Sequence, residues 1–583
     1  MLNKILMILL VATYSFAQSK EEISWETKFE KSNYFSTSNY NETIEYFNKI
    51  ADNSEFAELK TIGISPQGRE LKCLIVSRNK NFTPQETKEN NNAVILINNG
   101  IHSGEIEGKD ASMLLLREML IEKTKEKIFD NVTLLIVPVF NVDGHERSSP
   151  YNRINQNGPT NMGWRTTAQN FNLNRDFAKA ETPEMKALLK LYSEWLPDIF
   201  IDTHTTDGAD YQYIITYGIT NHQDVPPSTH EFVNTKLIPR FEKDVNDTGY
   251  LIMPYVGFIK GDYKNGIRDW VSTPRYSHSY AGAQNRIGVL IETHMIKPYK
   301  DRVYSTKAML ESIIRFGSEN YKELNKISQD ADKFMIDKFY TNHKPYPINY
   351  NITDDSTMFN YMGLEYDLYN SKISGSKIKK FTNRKNEINV PYFNKVKIVD
   401  SVSLPEAYLI PNEWKSLVSI LELHGVKTQQ LDKAKKYIVE KYKFSNVKFA
   451  SFPYESHFIP QFDYSVIKDT LLVNNGDYIV FTNQRSLGMI AYLLEPKSRE
   501  SFVKWGMMNI IFERKEYFEN YSMEPIAQRM YDESKILRDE FNKELIDNKE
   551  FANNPRERLN FFYKKSPYYD QNHNIYPILR IVN

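Results

Sequence analysis

Four short apolar segments in the first half of the chain restrict the fold more than any other feature. They lie at residues 93–97, 132–140, 199–201 and 287–291, and stretches with the apolar spacing of helices lie between them. Uninterrupted apolar strands are typical of parallel sheets that helices cover on both faces, because neither face of such a strand meets water. The pattern therefore predicts an α/β fold with a largely parallel sheet.

The sequence changes character near residue 340. A polar stretch rich in Asn and Tyr, residues 338–355, predicts a domain boundary. We expect an α/β domain over residues 20–325 and a smaller α+β C-terminal region of unknown role over residues 345–583. In this C-terminal region the pattern predicts strands at 396–399 and 407–410, helices at 412–424, 505–517 and 525–544, and a hairpin at Asn475-Gly476.

The first 17 residues, MLNKILMILLVATYSFA, have the pattern of a secretory signal peptide. Lys4 supplies a positive charge, residues 5–11 form an apolar segment, and the small residues Ser15 and Ala17 precede a cleavage site. The segment is too short for a membrane-spanning helix, which needs about 20 apolar residues. We therefore expect an exported protein, periplasmic or extracellular, without a stable membrane span.

Charge and cysteine content exclude several classes of protein and site. The chain has 74 Lys and Arg against 74 Asp and Glu, so it lacks the basic surplus that a nucleic-acid-binding protein needs to neutralise phosphates. Cys73 is the only cysteine, which excludes an internal disulfide and a cysteine-ligated zinc site. It lies within the apolar pattern of residues 71–76, which predicts a buried core residue.

Polar residues suited to metal chemistry follow three of the apolar segments. His102 and Glu105 come after the first segment, His204 after the third, and Glu292 directly after the fourth. Active sites of open α/β sheets lie at the carboxyl ends of strands, so these side chains are expected close together. Two His and one Glu form a ligand set of catalytic zinc, which leaves a fourth position for water. A carboxylate at Glu292 is then placed to take a proton from that water.

Two arginine motifs lie between these segments. Arg165 follows Trp164, and Arg175 follows Asn174. An arginine near a zinc site suits either of two tasks: it stabilises the oxyanion that forms when water attacks a carbonyl, or it binds a substrate carboxylate through two hydrogen bonds. The residues alone leave the division of these tasks open.

Together these motifs resemble the zinc carboxypeptidase family, the carboxypeptidase A-like metallopeptidases. Each motif alone is common, whereas the set in the family's order is specific, and the resemblance covers roughly residues 1–325. The motifs that carry it are His102-x-x-Glu105, Pro138, Asn141-Val142-Asp143-Gly144, Trp164-Arg165, Asn174-Arg175, His204 and Glu292.

The resemblance implies a fold and a set of residue roles. The fold is a mixed eight-stranded sheet between helices, followed here by the α+β C-terminal region. The implied roles are His102, Glu105 and His204 as ligands of one zinc ion, Glu292 as general base and acid, Arg165 as the group that polarises the scissile carbonyl, and Asn174 and Arg175 as the residues that hold the substrate's terminal carboxylate.

The segment before the catalytic glutamate departs from the pancreatic type of the family. That type has a mobile tyrosine upstream of the glutamate, whereas Tyr263, Tyr276 and Tyr280 all qualify here. Residues 274–286 and 291–294 instead resemble a bacterial, envelope-associated branch of the family. Substrate preference therefore does not carry over from the pancreatic type.

Three functions are open at this point. The first is a secreted zinc-dependent metallopeptidase that hydrolyses an amide bond near the free C-terminal carboxylate of a peptide. The second is a peptidoglycan-peptide amidase that uses the same zinc site, and the third is a non-catalytic binding protein on a peptidase fold. A further alternative is that residues 330–583 are the functional part, as an adhesion or carbohydrate-binding unit, which the sequence neither supports nor excludes.

Three polar residues beside the motifs have expected roles outside the ligand set. Asp202 is expected either to orient His204 or to be a solvated acid. His278 is expected to be an exposed loop residue, with a place in the substrate cleft as the alternative. Glu107 is expected to begin a helix, where a carboxylate favours the positive end of the dipole, and not to bind metal.

Overall fold

The computed structural model describes residues 24–220 and 225–582. The predicted signal peptide, residues 1–17, lies outside the described residues, so export stays a prediction. Within the described ranges, no helix combines the length and the apolar composition needed to cross a membrane.

The first half is built on a mixed sheet of eight strands, as the family resemblance implies. In chain order the strands are β1 (Ala57–Ile64), β2 (Glu70–Ser77), β3 (Ala93–Asn99), β4 (Val132–Val137), β5 (Ile199–Thr206), β6 (Ile215–Ile219), β7 (Ile252–Pro254) and β8 (Ile287–His294). Their order across the sheet is β1-β2-β4-β3-β5-β8-β6-β7. The central strands β4, β3, β5 and β8 are parallel. At one edge β1 and β2, and β2 and β4, pair antiparallel; at the other edge β6 is antiparallel to β8 and parallel to β7.

Alternating side chains of each strand pack into two separate cores on opposite faces of the sheet. In β2, Cys73 and Ile75 belong to one core, and Leu74 and Val76 belong to the other. Cys73 is fully buried, as predicted. The α-helices of this half are Lys28–Lys31, Tyr40–Asp52, Pro84–Glu89, Glu107–Leu116, Val142–Glu146, Pro183–Trp195, Pro227–Phe232, Ile238–Asp247, Ser277–Ala283, Tyr299–Glu319 and Tyr321–Met335.

The C-terminal region is α+β, as predicted. A long hairpin joins strands Thr357–Asn370 and Lys377–Phe393, and Tyr346–Ile352 pairs with Val396–Val402. A six-stranded sheet contains, in order, Gln429–Gln430, Tyr478–Phe481, Ala407–Ile410, Leu579–Ile581, Lys435–Phe449 and Pro460–Val473. The helices are Lys415–Leu423, Leu487–Leu494, Asn520–Glu533, Lys535–Asp547, Lys549–Ala552 and Pro555–Tyr563.

Three predictions for this region are wrong. The helix predicted over 525–544 is divided at Ser534 into two helices, Asn520–Glu533 and Lys535–Asp547. Asn475-Gly476 forms a turn but closes no hairpin, because Pro460–Val473 pairs with Lys435–Phe449 while Tyr478–Phe481 pairs with Ala407–Ile410. Residues 505–517 are not one helix, since only a short 3-10 turn forms there. Gly506 has a φ of 77°, a left-handed conformation that a continuous helix excludes.

The C-terminal region packs directly on one face of the main sheet. Phe200 of β5 and Tyr280 share a core with Leu421 and Met489 of the C-terminal region. His424 adds a polar contact in this core, since its Nε2 lies 3.0 Å from the carbonyl oxygen of Ala178. The division at residues 325–345 stays a prediction, but the two parts meet through a continuous apolar core.

Candidate functional site

The carboxyl ends of three adjacent strands meet at one edge of the main sheet. His204 lies in β5 directly beside Glu292 of β8, with which it is in register. Strand β3 pairs with β5 on its other side and leads into the turn that carries His102 and Glu105. The helix that follows begins at Glu107, so Glu107 opens a helix as predicted. Parallel pairing thus brings together residues far apart in the chain.

Three of these side chains form a compact, buried group of potential metal ligands. The Nδ1 atoms of His102 and His204 each lie 3.1 Å from the same carboxylate oxygen of Glu105. Among the described residues, this is the only cluster of its kind found, and its donor atoms lie within 4.8 Å of one another. Ligands about 2.0–2.1 Å from a tetrahedral zinc ion are separated by roughly 3.3 Å. Donor types and spacing therefore fit zinc.

The second nitrogen of each histidine has a hydrogen-bond partner. His102 Nε2 lies 3.1 Å from Asn172 Oδ1, and His204 Nε2 lies 2.7 Å from Asp202 Oδ2. Asp202 is buried, so of its two predicted roles the structure favours orienting His204. A partner on Nε2 leaves Nδ1 deprotonated and aimed at the metal, as is usual for histidine ligands.

Burial and neighbouring carboxylates shift the pKa values of the two histidines in opposite directions. Burial lowers the pKa of His102 to about 4, against the opposing effect of Glu105. Burial would also lower the pKa of His204, but the carboxylates of Asp202, Glu105 and Glu292 raise it well above its usual value. Metal binding requires neutral imidazole, so zinc binding is expected to release a proton from His204.

The outer carboxylate oxygen of Glu105 accepts hydrogen bonds from two arginines. Arg153 Nη2 lies 2.6 Å and Arg165 Nη1 lies 3.1 Å from Oε1. Gly104 makes room for Arg153, since a Cβ at this position would lie 2.7 Å from Arg153 Cγ. The sequence pattern missed Arg153, because it lies in an irregular loop with no motif around it.

Glu292 is a half-buried carboxyl group beside the ligand cluster. Burial raises its pKa to about 8, helped by Glu105 and Asp202 and opposed by His204 and Arg165. A divalent cation in the adjacent cluster would lower this pKa by its charge, and Glu292 would then be ionised near neutral pH. A carboxylate with such a pKa is suited to accept and return a proton.

A cavity of about 220 Å³ contains all seven residues predicted for the site. Arg175 belongs to a 3-10 turn, Leu173–Arg175, which places its guanidinium 4.5 Å from the ring centre of Tyr276. The predicted residues that line the cavity are His102, Glu105, Arg165, Asn174, Arg175, His204 and Glu292.

Of the three candidate tyrosines, only Tyr276 lines this cavity. Tyr263 packs in a small aromatic core, and Tyr280 is buried between the sheet and the C-terminal region. Tyr255 also lines the cavity and was not predicted. It follows β7, a strand of three residues that ends in Pro254 and leaves little apolar pattern to detect.

The sequence pattern led to a wrong expectation for His278 and to none for Ser277, two residues that follow Tyr276 in the chain. His278 is buried and lines the cavity, so the expectation of an exposed loop residue is wrong. The Ser277 hydroxyl, buried on the cavity wall, has no hydrogen-bond partner among the described residues. A buried hydroxyl without a partner is costly, and a polar substrate group would satisfy it.

Comparisons with known proteins point to one family. The zinc carboxypeptidase family model matches residues 43–361. Carboxypeptidase 2 of Trichophyton tonsurans is 22% identical over 470 residues, which cover 76% of this chain and 79% of the relative. Carboxypeptidase 2 of Trichophyton rubrum is 21% identical over 493 residues, 80% of this chain and 84% of the relative.

Solved structures similar to this chain include a putative carboxypeptidase A from Shewanella denitrificans. It is 17% identical, with a TM-score of 0.37, over 48% of this chain and 69% of the other. Carboxypeptidase A of Helicoverpa armigera is 15% identical, with a TM-score of 0.36, over 51% of this chain and 74% of the other chain. On the family match, which spans more than half of its length, the chain belongs to the zinc carboxypeptidase family and is a metallocarboxypeptidase.

Proposed function

We propose that this protein is a secreted enzyme that uses one zinc ion to hydrolyse the amide bond next to a free C-terminal carboxylate. The observation that carries the proposal is a single cavity lined by a zinc ligand set, the carboxylate of Glu292 and Arg175. Zinc bound there would polarise the scissile carbonyl and lower the pKa of water.

The catalytic steps are assigned to two residues of the cavity wall. Glu292 takes a proton from the attacking water and returns it to the leaving amine. Arg165 is 41% exposed while it contacts Glu105, so its guanidinium can reach the substrate. There it stabilises the negative charge that develops on the carbonyl oxygen.

Asn174 and Arg175 bind the substrate's terminal carboxylate in this proposal. Arg175 donates one hydrogen bond to the Asn174 carbonyl oxygen, at 2.6 Å, and within residues 24–220 and 225–582 its other donors remain available for the substrate. A guanidinium pairs with a carboxylate through two parallel hydrogen bonds, which also fixes the orientation of the substrate.

Replacing Arg175 with Ala should raise KM for peptides with a free C-terminus about 10- to 100-fold, with a smaller change in kcat. The loss of charge-assisted hydrogen bonds worth about 1.5–3 kcal/mol accounts for this range. Steady-state kinetics on one peptide series measures it. Arg529→Ala, an exposed arginine of the C-terminal region, is the control and should leave KM unchanged. An unchanged KM in Arg175→Ala would remove this residue from the substrate site.

The reaction itself is tested on matched substrates. Zinc-loaded protein is incubated with peptides that have a free C-terminus, with the same peptides amidated, and with muropeptides, and products are identified by mass spectrometry. Release of C-terminal residues from free peptides alone supports the proposal. Cleavage of muropeptides alone would replace it with the amidase function, and zinc-loaded protein that cleaves nothing would favour a binding protein.

Export is the second part of the proposal. It is supported by the charged, apolar and small-residue pattern of residues 1–17. Cell fractionation of the full chain and of a chain without residues 1–17 tests it. The full chain should be found in the periplasm or medium with its N-terminus shortened, and the truncated chain should stay in the cytoplasm.

A further inference from the structure

We propose that Glu455, from the C-terminal region, is a positioning residue for the metal-binding and carboxylate-binding parts of the site. It lies about 350 residues after His102 in the chain, yet a short series of hydrogen bonds connects the two. The inference rests on the proposed function only in taking His102 as a zinc ligand.

Asn172 is the residue through which Glu455 acts. Glu455 Oε2 accepts a hydrogen bond from the backbone N–H of Asn172, at 3.2 Å. The Oδ1 atom of Asn172 in turn lies 3.1 Å from His102 Nε2 and 3.1 Å from the backbone nitrogen of Asn174. Asn172 thus orients a metal ligand and caps the turn that carries Asn174 and Arg175. Its own backbone is fixed by a carboxylate from the other half of the chain.

The loop that carries Glu455 has a strained backbone. Glu455 has a φ of 47° and Ser456 a φ of 71°, a left-handed conformation that side chains other than glycine rarely adopt. Tyr454 and His457 close the loop through reciprocal backbone hydrogen bonds of 2.9 and 3.1 Å. Such strain persists only where the surrounding structure holds it, often at functional sites.

Contacts on both sides hold this loop against the first half. His457 Nε2 lies 2.7 Å from the carboxylate of Glu181. The Tyr454 ring stacks on Trp505, with ring centres 6.0 Å apart and planes 14° apart. Trp505 also lies 4.5 Å from the guanidinium of Arg275, the residue before Tyr276 of the cavity wall. The loop is therefore fixed beside the site.

Zinc affinity provides a readout that separates positioning from general stability. Glu455→Ala should bind zinc about tenfold more weakly, because a charge-assisted hydrogen bond is lost from the residue that orients His102. Glu455→Gln keeps an acceptor oxygen and should stay close to wild type. Glu533→Ala changes an exposed glutamate of the same region and is the control. Competition with a chromophoric chelator measures the affinity of each full-length variant.

A double-mutant comparison tests whether Glu455 acts through Asn172. Asn172→Ala should weaken zinc binding about 10- to 100-fold, as is usual when the partner of a metal-bound histidine is removed. If Glu455 acts through the Asn172 side chain, then adding Glu455→Ala to Asn172→Ala should weaken zinc binding no further. Additive losses, or wild-type zinc affinity in Glu455→Ala, would overturn the inference.

A second variant and a hydrolysis assay allow the positioning role of Glu455 to be tested even if Glu455→Ala does not fold. If Glu455→Ala does not fold, Glu455→Asp replaces it, since its shorter side chain keeps the charge but cannot reach Asn172, and its zinc affinity should fall in the same way. Wild-type protein is assayed for peptide hydrolysis in the same series. If the variants bind zinc more weakly but the wild type hydrolyses no peptide, the positioning role holds and the proposed function is rejected. If the wild type hydrolyses peptides but Glu455→Ala binds zinc with wild-type affinity, only the positioning role is rejected.

Discussion

Glu292→Gln should lower kcat about 10²- to 10⁴-fold while the protein keeps its zinc. The amide has nearly the shape of the carboxylate but cannot accept a proton from water. Peptide hydrolysis under single-turnover conditions and zinc analysis of the same sample measure the two quantities. Glu194→Gln, an exposed glutamate on helix Pro183–Trp195, is the matched control and should retain wild-type activity.

The pH profile adds a second test of the same residue. In the wild type, kcat/KM should decline as pH falls through the pKa of Glu292, because only the ionised carboxylate is a base. That pKa is about 8 without a cation, so the zinc-loaded enzyme should show its acidic limb at a lower pH. A Glu292→Gln enzyme that retained zinc and full activity would exclude Glu292 as the base.

His204→Ala should abolish stable zinc binding and, with it, peptide hydrolysis. Zinc binding in proteins is worth about 10–16 kcal/mol, so the loss of one of three ligands is expected to weaken affinity by about 10²- to 10⁴-fold. Metal analysis after dialysis against a weak chelator measures the loss. Added zinc should restore chelator-treated wild type but not the variant.

His343→Asn is the control for this experiment. His343 is exposed, lies outside the site and has a φ of 50°, which asparagine tolerates well. It should keep about one zinc ion per chain. If His204→Ala retained zinc with wild-type affinity, the ligand set of His102, Glu105 and His204 would be wrong.

The ligand cluster was predictable because its residues lie next to strands with strong local patterns. Each apolar segment marks a buried strand, and the parallel fold requires that the ends of such strands meet. Because His102, Glu105, His204 and Glu292 lie at or just after the ends of these strands, their proximity in the folded protein could be predicted from the sequence. Their roles in the reaction stay predictions until the variants are measured.

Residues that reach the site from irregular segments could not be predicted in the same way. Arg153 and Tyr255 lie in loops whose paths depend on packing with the rest of the protein. Glu455 reaches Asn172 only because the C-terminal region docks on the sheet. The Asn475-Gly476 hairpin does not form because each flank pairs elsewhere: Pro460–Val473 with the preceding strand Lys435–Phe449, and Tyr478–Phe481 with the distant strand Ala407–Ile410.

The core shared by the two halves has a consequence for how this protein can be divided. Phe200 and Tyr280 of the first half and Leu421 and Met489 of the C-terminal region belong to one apolar cluster. Cutting the chain near residue 330 would expose that cluster to water and favour aggregation of the fragment. The C-terminal region therefore covers apolar residues of the peptidase half that would otherwise contact water. Selection for activity would then act on both halves as one unit.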